Sequence, residues 1–299
     1  MGGTELAILA NALMLMVAMS LSFDFFSSDD TTSARSNDDD DDAISPLFDA
    51  AEYTQTFDGT DGDDNFLADP EGTDFAFFLK AGNDSLNASS GADFAQGGSG
   101  NDAMNLFEGD DIAFGNSGND SIFAGRGDDT VDGGSGNDRI DGSIGNDTLN
   151  GGDGVDEITG GVGNDVVLGG DGDDILSGGR LDSYGSAALG VDIVDGEAGN
   201  DTLFLAGADT GTGGSGEDLF IVYNSEEPDS VVEITDYVKG EDSIELRYEP
   251  ESDGAPAPDL MITFDPETDD AMISLDGLSV LKVNSAADLT AEDIMLTAA

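Results

Sequence analysis

The sequence has no cysteine, no histidine and no tryptophan, and only 8 of its 299 residues are lysine or arginine. Without cysteine there are no disulfides, so a chain that works outside the cell needs another source of stability. Without histidine or cysteine, zinc, copper and iron sites lose their usual ligands. The same absences remove HExxH helices and both Ser/His/Asp and Cys/His nucleophile sets. No Walker loop is present, and the glycine-rich matches open no helical pattern, so they are not dinucleotide loops. No twelve-residue loop closes with a glutamate in the manner of an EF-hand. Eight cations against 66 acids leave a net charge of −58. Such a surface stays soluble and repels nucleic acid and anionic membranes.

Glycine and aspartate are abundant, and their placement is periodic. From Gly82 to Gly172 a glycine recurs every nine residues, each followed two positions later by an aspartate and two further on by an apolar residue. The best copies are GGSGNDAMN (97–105), GGSGNDRID (133–141) and GGDGVDEIT (151–159). A repeat this short and unbroken means a solenoid. The glycines permit positive-φ turns, and the last three residues of each unit form a short strand with its eighth position facing the core. Two units then make one flattened coil, and coils stack at roughly 4.8 Å.

Stacking files the aspartates along two edges. One edge takes Asp84, Asp102, Asp120, Asp138, Asp156 and Asp174, and the other takes Asp93, Asp111, Asp129, Asp147 and Asp165. The register resumes after a faulty unit at 178–186 with Asp192 and Asp201. Carboxylates at that spacing repel unless cations lie between them. Turn carbonyls complete the donors: Gly98, Gly134, Gly152, Gly161 and Gly170 at the second position; Gly100, Gly118, Gly127, Gly136, Gly145, Gly154, Gly163 and Gly172 at the fourth. Hard oxygen donors in an adaptable cage suit calcium better than magnesium. Filling the gaps between eleven aspartates takes roughly nine ions.

The pattern resembles the RTX family of hemolysin-type proteins, whose GGxGxDxUx nonapeptides build a calcium-loaded parallel β-roll. The match is closest over 97–179 and recognisable over 59–221. The resemblance implies a type I secretion substrate that leaves the cell unfolded and folds on external calcium. It also implies that the run GEDLFIV…VVEITDYVKGEDSIEL caps the roll, and that the final LTAEDIMLTAA is an uncleaved secretion tail. Several units depart from the pattern. Those at 79–87, 88–96 and 106–114 lack the leading glycine pair, which leaves their turn geometry open. Ion sites are expected to be missing on one edge near 178–190. At 205–213 the aspartate position reads Thr210, and GTDGDDNFL (59–67) reads as an isolated capping coil.

The fold class expected is therefore all-β: a right-handed parallel β-roll over 58–221, an irregular β cap with a hairpin-containing tail over 222–299, an acidic tether over 27–57, and an apolar helix within 1–26. Residues 6–23 are nearly all apolar, long enough for a membrane helix, yet no cation precedes them. A membrane anchor, an atypical signal and a hydrophobic cap or oligomer contact all remain open readings. The leading function is calcium binding by a secreted or surface-tethered scaffold without enzymatic activity, whose adhesion partner the sequence does not name. The alternatives are an enzyme with its active site in 222–299 and a pore-forming toxin.

Overall fold

A nine-residue unit with one large apolar side chain can bury it only against its neighbours, so the chain must coil. The computed structural model describes residues 53, 55–68, 72–179, 190–224, 230–250 and 256–298. The chain forms two compact units, residues 1–49 and 50–299, and only the second includes described residues. The apolar run at 6–23, with its expected helix, lies outside them. No helix among the described residues is long and apolar enough to cross a membrane.

Among the described residues, successive strands alternate through the repeats between two sheets, one of 13 strands and one of 11. Within each sheet the pairing is parallel and eighteen residues apart through the repeats. Arg139, Ile140 and Asp141 pair with Glu157, Ile158 and Thr159, and Thr148, Leu149 and Asn150 pair with Val166, Val167 and Leu168. This is the parallel β-solenoid that the periodicity indicates, with two units per coil.

The strands are longer than the three residues expected. Arg139–Ile144 and Thr148–Asp153 each run for six, from the seventh position of one unit to the third of the next. The leading glycine pair therefore lies inside the strand, and only positions four to six turn. The pairing register passes over the first glycine, Gly142, so the strand bends there without ending.

The core is one file of side chains between the sheets. Ile122, Val131, Ile140, Leu149, Ile158, Val167 and Leu176, all from the eighth position, are essentially inaccessible to solvent. Each such burial stabilises by about 1.5–3 kcal/mol. Toward the N-terminal end the file becomes aromatic, with Phe57 and Phe77 stacked at 5.2 Å.

Beyond the repeats the parallel stack continues. Ser243–Tyr248 pairs with Leu219–Tyr223, and the tail strand Ile294–Ala298 pairs with Ser243–Tyr248. On the other sheet Val232–Ile234 pairs with Leu278–Val283, which leads into the antiparallel strands Ala271–Leu275 and Leu260–Phe264. The alternating segments at 261–265 and 272–283 are thus hairpin strands, as their pattern indicates. Lys282 Nζ ties the hairpin to the stack, 2.9 Å from Glu233 and 3.3 Å from Asp270. Asp236 accepts the amides of Gly213 and Gly214 at 2.9 and 2.8 Å, closing the turn of the last repeat.

Candidate metal centre

Each repeat turn delivers its aspartate inward. All thirteen aspartates singled out by the sequence, Asp84 through Asp201, are buried, none more than 3% exposed. One carboxylate oxygen of each accepts the backbone N–H of the residue at the same position one coil earlier, an aspartate in every case but Asp93, where it is Phe75. Asp102 Oδ1 accepts from Asp84 at 2.8 Å, Asp120 Oδ1 from Asp102 at 2.7 Å, and Asp138 Oδ1 from Asp120 at 2.7 Å. The opposite edge repeats this, Asp147 Oδ1 accepting from Asp129 and Asp165 Oδ1 from Asp147 at 2.9 Å.

The second oxygen is left over. Oδ2 of Asp84, Asp102, Asp111, Asp120, Asp129, Asp138, Asp147, Asp156, Asp165, Asp174 and Asp201 is buried with no hydrogen-bond partner. Eleven orphaned anionic oxygens in register are too costly to be incidental, since an unpaired buried polar atom costs on the order of 1–3 kcal/mol and a charged one more.

The first glycine of the unit leaves the space these oxygens face. A Cβ on Gly133 would stand 2.5 Å from Asp138 Oδ2 and 2.7 Å from the carbonyl oxygen of Gly151. An orphaned carboxylate oxygen, an adjacent carbonyl and a gap only glycine allows are a donor set for a hard cation. At the fourth position Gly136 has φ +134, and a Cβ there would collide with the carbonyl of Gly118. The second-position glycines of the sequence reading, Gly98, Gly134, Gly152, Gly161 and Gly170, have φ between +98 and +119. The fourth-position set, Gly100 to Gly172, spans +122 to +156. Among the described residues no three His, Cys, Asp or Glu side chains converge. Each coil offers one inward carboxylate per edge, with a main-chain carbonyl such as that of Gly151 beside the same space.

Burial raises every one of these carboxylates above the ordinary aspartate range, partly offset by the N–H bond each accepts and, except at Asp138 and Asp192, increased again by neighbouring aspartates. Asp111 is pushed up to about 9, and Asp120, Asp129, Asp147, Asp156, Asp165 and Asp201 to about 7. Without a cation such groups hold protons near neutrality, and a cation displaces them.

Several sequence expectations are corrected here. Lys80 and Phe107 replace the second glycine at 79–87 and 106–114, yet they keep its left-handed backbone, with φ of +79 and +76. Those two turns are therefore regular. Both aspartate files continue across 178–190, of which 180–189 lie outside the described residues, although the Oδ2 of Asp192 is not among the orphaned oxygens. Asp192 Oδ1 accepts from Asp165 and Asp201 Oδ1 from Asp174, each across twenty-seven residues. Nine extra residues enter between coils and both files continue past them. Asp209, and not Thr210, fills the position at 205–213, its Oδ1 accepting from Asp192 at 3.0 Å. The unit at 59–67 is not isolated, because Asp64 donates to Asp84 Oδ1 at 2.7 Å and Asn65–Leu67 pairs with Ser85–Asn87.

Asp218, from the last good copy GGSGEDLFI (213–221), which arrives one residue early, joins the files, and so do Asp64 and Asp242, which sequence reasoning left out. Asp218 Oδ1 accepts from Asp201, and Asp242 Oδ1 from Asp218 at 3.1 Å. The signal missed was a Gly-x-Asp triplet at each place (62–64, 207–209, 240–242), hidden by spacings other than nine.

Comparison with known proteins agrees with this geometry. The RTX calcium-binding nonapeptide repeat (4 copies) matches residues 80–113, 107–140, 132–167, 150–182 and 187–220. No curated protein matches the sequence. Among solved structures, the chain is similar to the AlgE6R3 subunit of the Azotobacter vinelandii mannuronan C5-epimerase, with 23% identity over 46% of this chain and 80% of that one, at a TM-score of 0.34. It is also similar to a hyperactive, Ca2+-dependent, β-helical antifreeze protein from an Antarctic bacterium, with 23% identity over 67% of this chain and 80% of that one, at 0.35. The extracellular lipase LipA of Serratia marcescens shares 16% identity over 75% of this chain and 40% of its own, at 0.24.

Proposed function

Residues 80–182 and 187–220 being RTX calcium-binding nonapeptide repeats, we propose that the chain is a secreted calcium-dependent scaffold whose roll is held together by ions between the aspartate files. The observation that carries this reading is the register of eleven buried, partnerless Oδ2 atoms. The ligands are the eleven aspartates with a partnerless Oδ2, from Asp84 to Asp201, together with the turn carbonyls of the second- and fourth-position glycines. One ion per orphaned oxygen gives on the order of ten ions, near the roughly nine of the sequence count. Calcium supplies the positive charge that lets these carboxylates stay ionised while buried.

The chain's own residues account for the rest. The roll (58–221) folds where calcium is plentiful, and the segment 222–299 continues its sheets and closes its end. We read that segment as cap and type I secretion tail, with no catalytic role. A net charge of −58 and the absence of cysteine suit a chain exported unfolded into a calcium-rich medium. The outer faces of two long sheets offer area for adhesion or surface coating. Residues 6–23 are the segment that would tether the chain to a membrane.

Equilibrium dialysis of the full chain against calcium tests the reading. We expect on the order of ten bound ions, lost in EDTA and not replaced by magnesium. Fewer than two bound ions would contradict it.

A further inference from the structure

Not every aspartate in the files has an orphaned oxygen: the exceptions are the four at the ends and, next to the far ends, Asp192 and Asp218. One file starts at Asp93, because Phe75 occupies the preceding aspartate position and donates its N–H to Asp93 Oδ1 at 2.7 Å. Asp93 Oδ2 accepts the backbone N–H of Ser89 at 2.8 Å and its hydroxyl at 2.9 Å. The other file starts at Asp64, whose Oδ2 accepts the N–H and hydroxyl of Thr60 at 2.6 and 3.0 Å. At the far ends Asp209 Oδ2 accepts from Ala206 at 2.8 Å, and Asp242 Oδ2 accepts from Val238 at 2.6 Å.

The backbone explains the difference. In the interior coils, Gly179 beside the insertion excepted, the residue at the second position is left-handed whatever its identity, including Lys80, Phe107, Asn116, Ser143 and Glu197, at φ between +67 and +79. Thr60 and Ser89 occupy the same position and are not left-handed. Their amides and hydroxyls turn onto the carboxylate, filling the coordination that the interior aspartates leave empty. At the far ends the last aspartate donates its own N–H back into its turn, Asp209 to Ala206 and Asp242 to Val238.

We propose that both aspartate files are closed at all four ends by carboxylates satisfied by the chain itself, so that calcium occupies only the coils between them. This rests on the calcium reading above and sets two kinds of file member apart, with Asp192 and Asp218 as the transition to the far terminators. Asp64, Asp93, Asp209 and Asp242 are structural terminators, and the eleven with orphaned Oδ2 are the ion ligands. The arrangement also stops the file of charge from running into the cap.

Crystals of the full chain grown in calcium, with anomalous diffraction locating the ions, give the direct test. Peaks are expected within about 2.3–2.6 Å of the interior Oδ2 atoms, such as those of Asp111 and Asp147. No peak is expected at that distance from any of the four terminators, and a peak there overturns the proposal. In solution, Asp147→Asn should lower the dialysis count by one or two ions while Ser89→Ala leaves it unchanged. A count that changes equally for both overturns the proposal while leaving the calcium reading intact. No bound calcium in the unmodified chain overturns both.

Discussion

The backbone N–H of Asp120 donates to one oxygen of Asp138, eighteen residues on, at 2.7 Å, while the other oxygen of Asp138 is buried without a partner. A single carboxylate thus does two jobs: it fixes the register of neighbouring coils and presents a charge that something else must neutralise. Asp138→Asn keeps an acceptor for Asp120 but replaces the anionic oxygen with an amide donor. We expect the calcium concentration for half-maximal folding to rise at least about tenfold, equivalent to about 1.4 kcal/mol. Calcium titration of the variant checks this.

The pH dependence without calcium should be inverted relative to an ordinary salt-bridged protein. Burial raises these carboxylates from 3.8, to about 7 in Asp120, Asp129, Asp147, Asp156 and Asp165. Between those values the folded chain binds more protons than the unfolded one, so stability falls as pH rises through that window. Below about pH 4 the contribution is fully recovered, although other acids then titrate as well. In EDTA the β signal in circular dichroism should therefore be stronger at pH 5 than at pH 8. With calcium present the order reverses, because ions bind the deprotonated carboxylates and each binding event releases protons.

Gly136→Ala places a Cβ at φ +134 against the carbonyl of Gly118. Strain at such a backbone costs on the order of 1–3 kcal/mol before the collision is added. Substitution of Lys80 by glycine, where φ is +79, should be tolerated, since glycine adopts that conformation freely. Denaturant unfolding of the calcium-loaded proteins compares the two.

Leu149→Ala removes one link of the single-file core, where Leu149 is fully buried. The expected cost is about 2–5 kcal/mol, because the stacked coils on either side limit collapse into the gap. The calcium midpoint should rise with it, since folding and binding are one equilibrium.

What could be read in advance follows from the period. A strict nine-residue spacing of Gly, Asp and an apolar residue yields the two-unit coil, the two files and the identity of the core, since each depends only on which residues lie eighteen apart. Places where spacing changes were not legible. A nine-residue insertion preserves the apparent period yet shifts Asp192 onto the file of Asp165 rather than that of Asp174. A one-residue deletion makes Asp209 look like a missing aspartate. Strand length was also misjudged, because glycine pairs suggest turns, whereas here Gly151 and Gly152 sit inside a strand and serve to clear room beside a carboxylate. Why Asp64 and Asp93 keep no partnerless oxygen depends on the backbone of Thr60 and Ser89, which composition does not encode.

Calcium titration of the full chain, followed by far-ultraviolet circular dichroism with magnesium as control, tests the central claim most directly. If ions between the aspartate files hold the roll together, the chain passes from coil to β near 10⁻⁴–10⁻³ M calcium, on the order expected for extracellular sites, and magnesium does not reproduce the change. A chain fully β-structured at pH 8 in EDTA, with no further change on adding calcium, would contradict it.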